Sequence, residues 1–423
     1  MGTLLRHTLS DPAFIAEHRQ QPRFFTRQRA LPFATVVTWL LLNFQSSMRQ
    51  ALQRLLDARA GKPVIAATKG ALSQARAKLK DSALVALNRL VIGEAEAALP
   101  VARWFGHRVL AVDGSSLRLP ESAEFIQAFG GTRHRHGLRP LARASLAFDV
   151  LNRVTVSAAL APWQQGERAL FAQHLEAFRE NDLVLFDRGY PALWLFALLQ
   201  ARGIHFCARL DAGLWGRTLD LIQHGTDELC YIAPLGKRAR AVCAVAGVSL
   251  SALRLRVLRV RLESGEDEFL VTSLLDTQRY PHHLFRDLYA RRWAVEEALK
   301  QLKVRLTAEN FSGKTALAVR QDFHARVLLA NLVNLFCIES DRRIRGQDQR
   351  RQRQHPHQTN RHYALAQLRH FLPRFLLAPT LGLVRALLGR LASEAESIRP
   401  ERSYPRRTSR FRRGYPIAYK PVA

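Results

Sequence analysis

The period of the apolar and polar positions changes along this chain, and the changes divide it. Up to about residue 100 the spacing is helical. Phe33 to Phe44 is an apolar run, Phe33 to Leu56 turns amphipathic, and Ser73 to Leu90 is amphipathic with Arg76, Lys78 and Lys80 outward. Gly61, Lys62 and Pro63 mark a turn between the two. From His107 strands and helices are interleaved. Short apolar strands are predicted over Arg108 to Val112, ending in Asp113, and over Asp182 to Phe186, ending in Asp187. Between them, Ala142 to Val150 and Arg153 to Leu160 read as two strands around a tight turn, and Gln165 to Arg179 as a helix. A helix over Pro191 to Ala201 and a strand over Ile204 to Leu210 follow.

Trp215 to Leu274 is a run of strand patterns, with strands predicted at Asp227 to Ala233, Ala239 to Ala244, Leu253 to Leu262 and Glu268 to Leu274. The third puts Arg254 and Arg256 on one face and Arg259 and Arg261 on the other, so a bulge is expected near Val257-Leu258. Next comes YARRWAVEEALKQLK, Tyr289 to Lys303. On one helix at about 100° per residue, Tyr289, Arg292, Glu296 and Lys303 share a polar stripe. Leu284, Leu288, Val295, Leu299, Leu302 and Leu306 form an apolar stripe beside it, with Arg292 off that stripe and Glu297 facing solvent. Ala316 to Ile338 reads as a core helix, Arg342 to Arg361 as a basic linker, and Tyr363 to Leu391 as helical. Arg399 onward is a basic tail interleaved with aromatics. FSGKT at Phe311 to Thr315 is not a phosphate loop, because position 308 is Ala where that pattern needs Gly.

The expected class is α/β. The expected regions are 1–100, helical and suited to DNA; a core at 101–214 and 276–340; a β-strand insertion at 215–275; and linker, helix and tail over 341–423. At 423 residues and about 150 per domain, two to four domains fit. The net charge of +29, from 64 Lys+Arg against 35 Asp+Glu, is large for an enzyme of small molecules. It points to a polyanion, nucleic acid first, and also suits a membrane-surface or ribosome-associated protein. The four cysteines form no C-x-x-C pair and read as buried small hydrophobes in a reducing compartment. Met1 to Gln21 shows no signal peptide, and Phe33 to Phe44 is too short to span a bilayer, so a cytoplasmic, nucleoid-associated protein is expected.

Asp113, Asp187 and Glu296 are the candidate chemistry. An Asp followed by Gly is also a turn pattern, and a charged helix face is common. Together, however, two strand-end carboxylates and a helix carboxylate suit a pair of hard divalent cations, which activate a nucleophile and stabilise a leaving oxygen at a phosphodiester. The ordered set DGS at Asp113, DRGY at Asp187 and Y-x₂-R-x₃-E-x₆-K at Tyr289, Arg292, Glu296 and Lys303 resembles the DDE transposases of the insertion sequence 4 family, in the transposon-5-like group with its YREK signature. ENFSGKT after the helix and SQARAKL near Ser73 resemble that family's flanking blocks, and the likeness covers roughly residues 70 to 335.

The resemblance implies a ribonuclease-H-like core with a β-strand insertion between the second Asp and the Glu. The 109 residues from Asp187 to Glu296 leave room for one. It further implies that Asp113, Asp187 and Glu296 are catalytic and hold two Mg²⁺ ions, with Mn²⁺ able to substitute. Tyr289, Arg292 and Lys303 would contact DNA. The partners implied are double-stranded DNA, as terminal inverted repeats and target, and a second copy of the chain on that DNA; no membrane partner is implied. Neither Trp215 nor Trp293 is fixed by a motif as the aromatic that holds a flipped base. Cut-and-paste transposition is the leading reading. A nuclease or resolvase that does not join, or an inactive or domesticated DNA-binding protein, are the alternatives.

Overall fold

Strands form where short apolar runs leave no polar face. In the computed structural model LVLF at Leu183–Phe186 is a strand with all four residues buried. The structure describes residues 1–27, 30–42, 48–57, 67–134, 137–211 and 215–399. The turn expected at Gly61 to Pro63 and the basic tail beyond Arg399 lie outside them.

In chain order, helices α1 to α6 are Gly2–Ser10, Pro12–His18, Phe33–Leu42, Met48–Asp57, Lys69–Arg76 and Ser82–Ala98. Then come β1 (Val109–Arg118), α7 (Ala123–Phe129), β2 (Gly131–His134), β3 (Gly137–Asp149), β4 (Val154–Pro162), α8 (Glu167–Phe171) and a 3₁₀ turn (Ala172–Ala177). They are followed by β5 (Leu183–Phe186), α9 (Leu193–Gln200), β6 (His205–Arg209), α10 (Gly216–His224), β7 (Glu228–Pro234), α11 (Lys237–Val245), β8 (Ala252–Arg261) and β9 (Asp267–Thr272). The last are α12 (Leu284–Ala290), α13 (Trp293–Val304), α14 (Ala316–Arg351), β10 (His357–Thr359), α15 (Arg361–Leu377), α16 (Leu381–Ser393) and β11 (Ala395–Ser397).

The chain divides into two compact units. One comprises residues 100–116 and 142–300 and holds a mixed sheet in the order β4-β3-β1-β5-β6-β9-β8-β7. β1, β5 and β6 run parallel, and their apolar sequences reflect burial on both faces. β9, β8 and β7 extend the sheet antiparallel. This is the expected α/β class, built on one mixed sheet.

Several local expectations are corrected here. β1 runs on through Asp113 to Arg118. Gln165 to Arg179 is not one helix but α8 and a 3₁₀ turn, with Phe171 and His174 both buried. Ala239 to Ala244 is helical, within α11, because KRARAVCAV is rich in strong helix formers. α10 is a further helix in the segment expected to be all strand. β8 pairs without a register shift, so there is no bulge at Val257-Leu258. The apparent change of phase comes instead from Arg256, fully buried, ion-paired to Glu228 and donating to the Tyr280 carbonyl at 2.8 Å. Cys230 is exposed, unlike the other three cysteines.

The other unit comprises residues 1–99, 117–141 and 301–423 and is mainly helical. α3 is buried along nearly its whole length, as its apolar run predicts. Arg76, expected outward, is 4% exposed. Its guanidinium meets Asp322 at 3.0 Å, Gln321 at 2.9 Å and Ser312 at 2.6 Å. SQARAKL and ENFSGKT, far apart along the chain, are thus joined by one buried charge. α14 continues to Arg351 through the first half of the expected linker. Ile344 is buried, and Glu339 pairs with Arg342 at 3.3 Å one turn on.

Candidate active site

The parallel register of β1 and β5 brings the two aspartates together. Val112 is opposite Phe186, and Asp113 and Asp187 are the next residues on each chain. Neighbouring strands about 4.8 Å apart therefore set them side by side at the carboxyl ends of the paired segments. Both are half-buried. Asp113 Oδ1 accepts from the Gly114 amide at 2.8 Å. Its backbone carbonyl accepts from Ser145 Oγ at 3.2 Å, and Ser145 is hydrogen-bonded at 2.9 Å to His174, which also meets Ser157 at 2.8 Å.

The stretch expected as one helix is two. α12 ends at Ala290 and α13 begins at Trp293. The Arg291 and Arg292 amides donate to the Leu288 and Tyr289 carbonyls, three residues back, so the junction is wound tightly. The apolar stripe is buried as expected at Leu288, Val295, Leu299, Leu302 and Leu306. Glu297 faces solvent. Arg292, expected off that stripe, is 3% exposed. It pairs with Glu296 at 2.8 Å and lies under the Trp293 ring, 4.8 Å from its centroid. Its Nε has no hydrogen-bond partner among the described residues. Tyr289 is buried and donates to the Phe186 carbonyl at 3.3 Å, so it braces the peptide just before Asp187. Lys303, on the last turn of α13, belongs to the helical unit, where burial lowers its pKa, Glu309 raises it and Arg118 lowers it further.

Neighbouring charges act on Asp113, Arg292 and Glu268. Burial lifts the Asp113 carboxyl to about 6. The Gly114 amide opposes the rise, Glu296 and Glu167 add to it, and Arg292 works against them. Burial works against the charged form of Arg292, but Tyr289, Glu296 and Asp187 outweigh it and raise its pKa. Glu268, 8% exposed and 3.2 Å from Arg209, is raised by burial and by Asp187. Glu268, Glu167 and Tyr190 were not singled out from the sequence. Tyr190 stands within DRGY and could have been; nothing in the spacing marks the two glutamates.

The donors are carboxylate oxygens, the chemistry a hard divalent cation takes. Among the described residues no three His, Cys, Asp or Glu side chains stand as one metal-holding group. Mg²⁺ asks for less: one or two carboxylates, with water and substrate phosphate completing its shell. Asp113 and Asp187, side by side where the pairing of β1 with β5 ends, meet that requirement.

A family model described as "Transposase DDE domain" matches residues 104–332. The chain belongs to the DDE transposase family. It is a DNA transposase, of the nuclease and transesterase type the insertion sequence 4 resemblance implied. It is 24% identical over 329 residues to the transposase InsG for insertion sequence element IS4 of Escherichia coli strain K12, covering 76% of this chain and 73% of that protein. It is also 24% identical over 183 residues to the putative transposase InsZ of the same strain, covering 42% of this chain and 60% of that one. Among solved structures, the piggyBac transposase synaptic complex with hairpin DNA aligns with a TM-score of 0.44 at 10% identity, covering 95% of this chain and 87% of that one. No helix among the described residues of this transposase is long and apolar enough to cross a membrane.

Proposed function

We propose that Asp113, Asp187 and Glu296 are the catalytic carboxylates of a cut-and-paste transposase that cleaves at terminal inverted repeats and joins the freed 3′ ends to target DNA. The observation that carries this is the register Val112 opposite Phe186, which makes neighbours of two aspartates far apart in sequence. Glu296, from α13, adds its charge to that of Asp113. Mg²⁺, two ions with Mn²⁺ as substitute, would supply Lewis acidity to the scissile phosphate and activate the attacking oxygen.

The chain's own groups orient that chemistry. Asp113 is held from behind by the Ser145 hydroxyl, and Asp187 by Tyr289 through the preceding carbonyl. Tyr289, Arg292 and Lys303 contact the DNA backbone in this reading. Arg292 has a donor to spare at Nε, and the Trp293 ring turning aside would open it to a phosphate oxygen. The excess of basic side chains supplies the sequence-independent part of DNA affinity. Two copies act on one pair of ends, and the protein works in the cytoplasm on the nucleoid.

The test is incubation with Mg²⁺, DNA carrying the element's ends and a target plasmid. Cut ends followed by joined product are expected. Cut ends alone would make it a nuclease, and retention of DNA without cutting would make it a binder with an idle site.

A further inference from the structure

Glu167 opens α8, directly after β4, in the same unit as the two aspartates. Its carboxylate lies over two glycines, each in the loop or strand just past one of those aspartates. A Cβ on Gly114 would stand 3.5 Å from Glu167 Oε1, and a Cβ on Gly189 would stand 3.6 Å from Oε2. No side chain at either position separates the carboxylate from the backbone just past Asp113 and Asp187. Arg143 on β3 holds Oε1 at 2.9 Å, and the Trp163 ring covers that guanidinium at 4.5 Å. Arg168, next in the chain, donates to the Gly189 carbonyl at 3.1 Å and the Pro191 carbonyl at 3.3 Å. The start of α8 is therefore fastened to the loop that carries Asp187.

A second observation points to a ligand at this place. Tyr190 is 1% exposed, and its hydroxyl has no hydrogen-bond partner among the described residues. The charges that act on that phenol are Glu167, Asp113, Arg143 and Asp187. A buried hydroxyl with nothing to bond costs about 1–3 kcal/mol. It would be satisfied by something that enters among the acids, such as the water shell of a hard cation.

We propose that Glu167 is a fourth carboxylate of this site, binding a divalent cation together with Asp113 while Arg143 holds it in position. Two carboxylates and several retained waters make an ordinary Mg²⁺ site. Glu167 is then a ligand from the sheet's helix connection, additional to the three acids of the motif. The proposal rests on the reading of Asp113 as a cation ligand, and the experiment separates the two.

Mn²⁺ is titrated calorimetrically into the full-length protein without DNA, for the parent, Glu167→Gln and Asp113→Asn. Melting without metal checks that each variant is folded. Glu167→Gln is expected to bind Mn²⁺ at least about tenfold more weakly with its metal-free melting unchanged, since losing even an outer partner of a metal site costs about 10–100-fold. Parent affinity in folded Glu167→Gln, with a loss in Asp113→Asn, would overturn the proposal and leave the catalytic reading standing. No loss in either variant, or no binding by the parent, would overturn both. Should Glu167→Gln fail to fold, Glu167→Asp keeps the charge but withdraws it by one methylene; parent affinity there would equally overturn the proposal.

Discussion

At the scale of single residues, the site is defined by charges whose environments differ. Asp113 is lifted to about 6 by burial, against the Gly114 amide and with Glu296 and Glu167 adding to it. A carboxyl raised in the folded state holds its proton where the unfolded chain has lost it. Its contribution to stability therefore falls as pH rises from about 4 to about 6 and stays lost above that window. Without metal, Asp113→Asn should be more stable than the parent at pH 8 by about 1–3 kcal/mol, allowing for partial solvent screening, with the difference fading below about pH 4. Denaturant midpoints across that range measure it. A variant no more stable than the parent at pH 8 would mean that the charge is well solvated. Asp113, Asp187 and Glu296 were legible in the sequence, because the DGS, DRGY and Y-x₂-R-x₃-E-x₆-K stretches carry the family resemblance. The burial of Arg292 and Tyr289 was not, because a polar stripe on a helix wheel looks the same whether solvent or a sheet lies against it.

At the scale of elements, the strands were the legible part. β5, β6 and β9 lie within a residue or two of the apolar runs that predict them, because strands buried on both faces are apolar nearly throughout, and the edge strand β7 lies equally close to its own. The helices were less so. The break between α12 and α13 leaves no mark in a sequence without Gly or Pro; the i to i+3 bonds at Arg291 and Arg292 make it. The extension of α14 to Arg351 was hidden by a composition that reads as linker, although Arg and Gln are good helix formers. Arg76 teaches the same lesson at an element's end. A cation on an amphipathic pattern was expected in solvent, but α5 turns it onto Asp322 of α14. Arg76→Met should leave that carboxylate buried and unpaired, and so cost about 3–5 kcal/mol. Chemical unfolding of the full chain checks this; a loss below about 1 kcal/mol would show the network to be dispensable.

At the scale of the whole molecule, charge and topology have separate work. The net charge of +29 gives affinity for any DNA, weakening with salt, and says nothing of chemistry. The topology makes neighbours of β1 and β5 and so of the two aspartates proposed as catalytic, which local pattern alone could not pair. Asp113, Asp187 and Glu296 are proposed to act as one catalytic set. The most direct test is Mg²⁺-dependent cleavage of DNA bearing the element's ends by Asp113→Asn, Asp187→Asn and Glu296→Gln, with DNA binding measured alongside. Each variant should bind DNA as well as the parent and cut on the order of 10²–10³-fold more slowly or worse, the scale on which a single preorganised electrostatic group acts at a transition state. Parent-like cutting by any one of the three would contradict the claim.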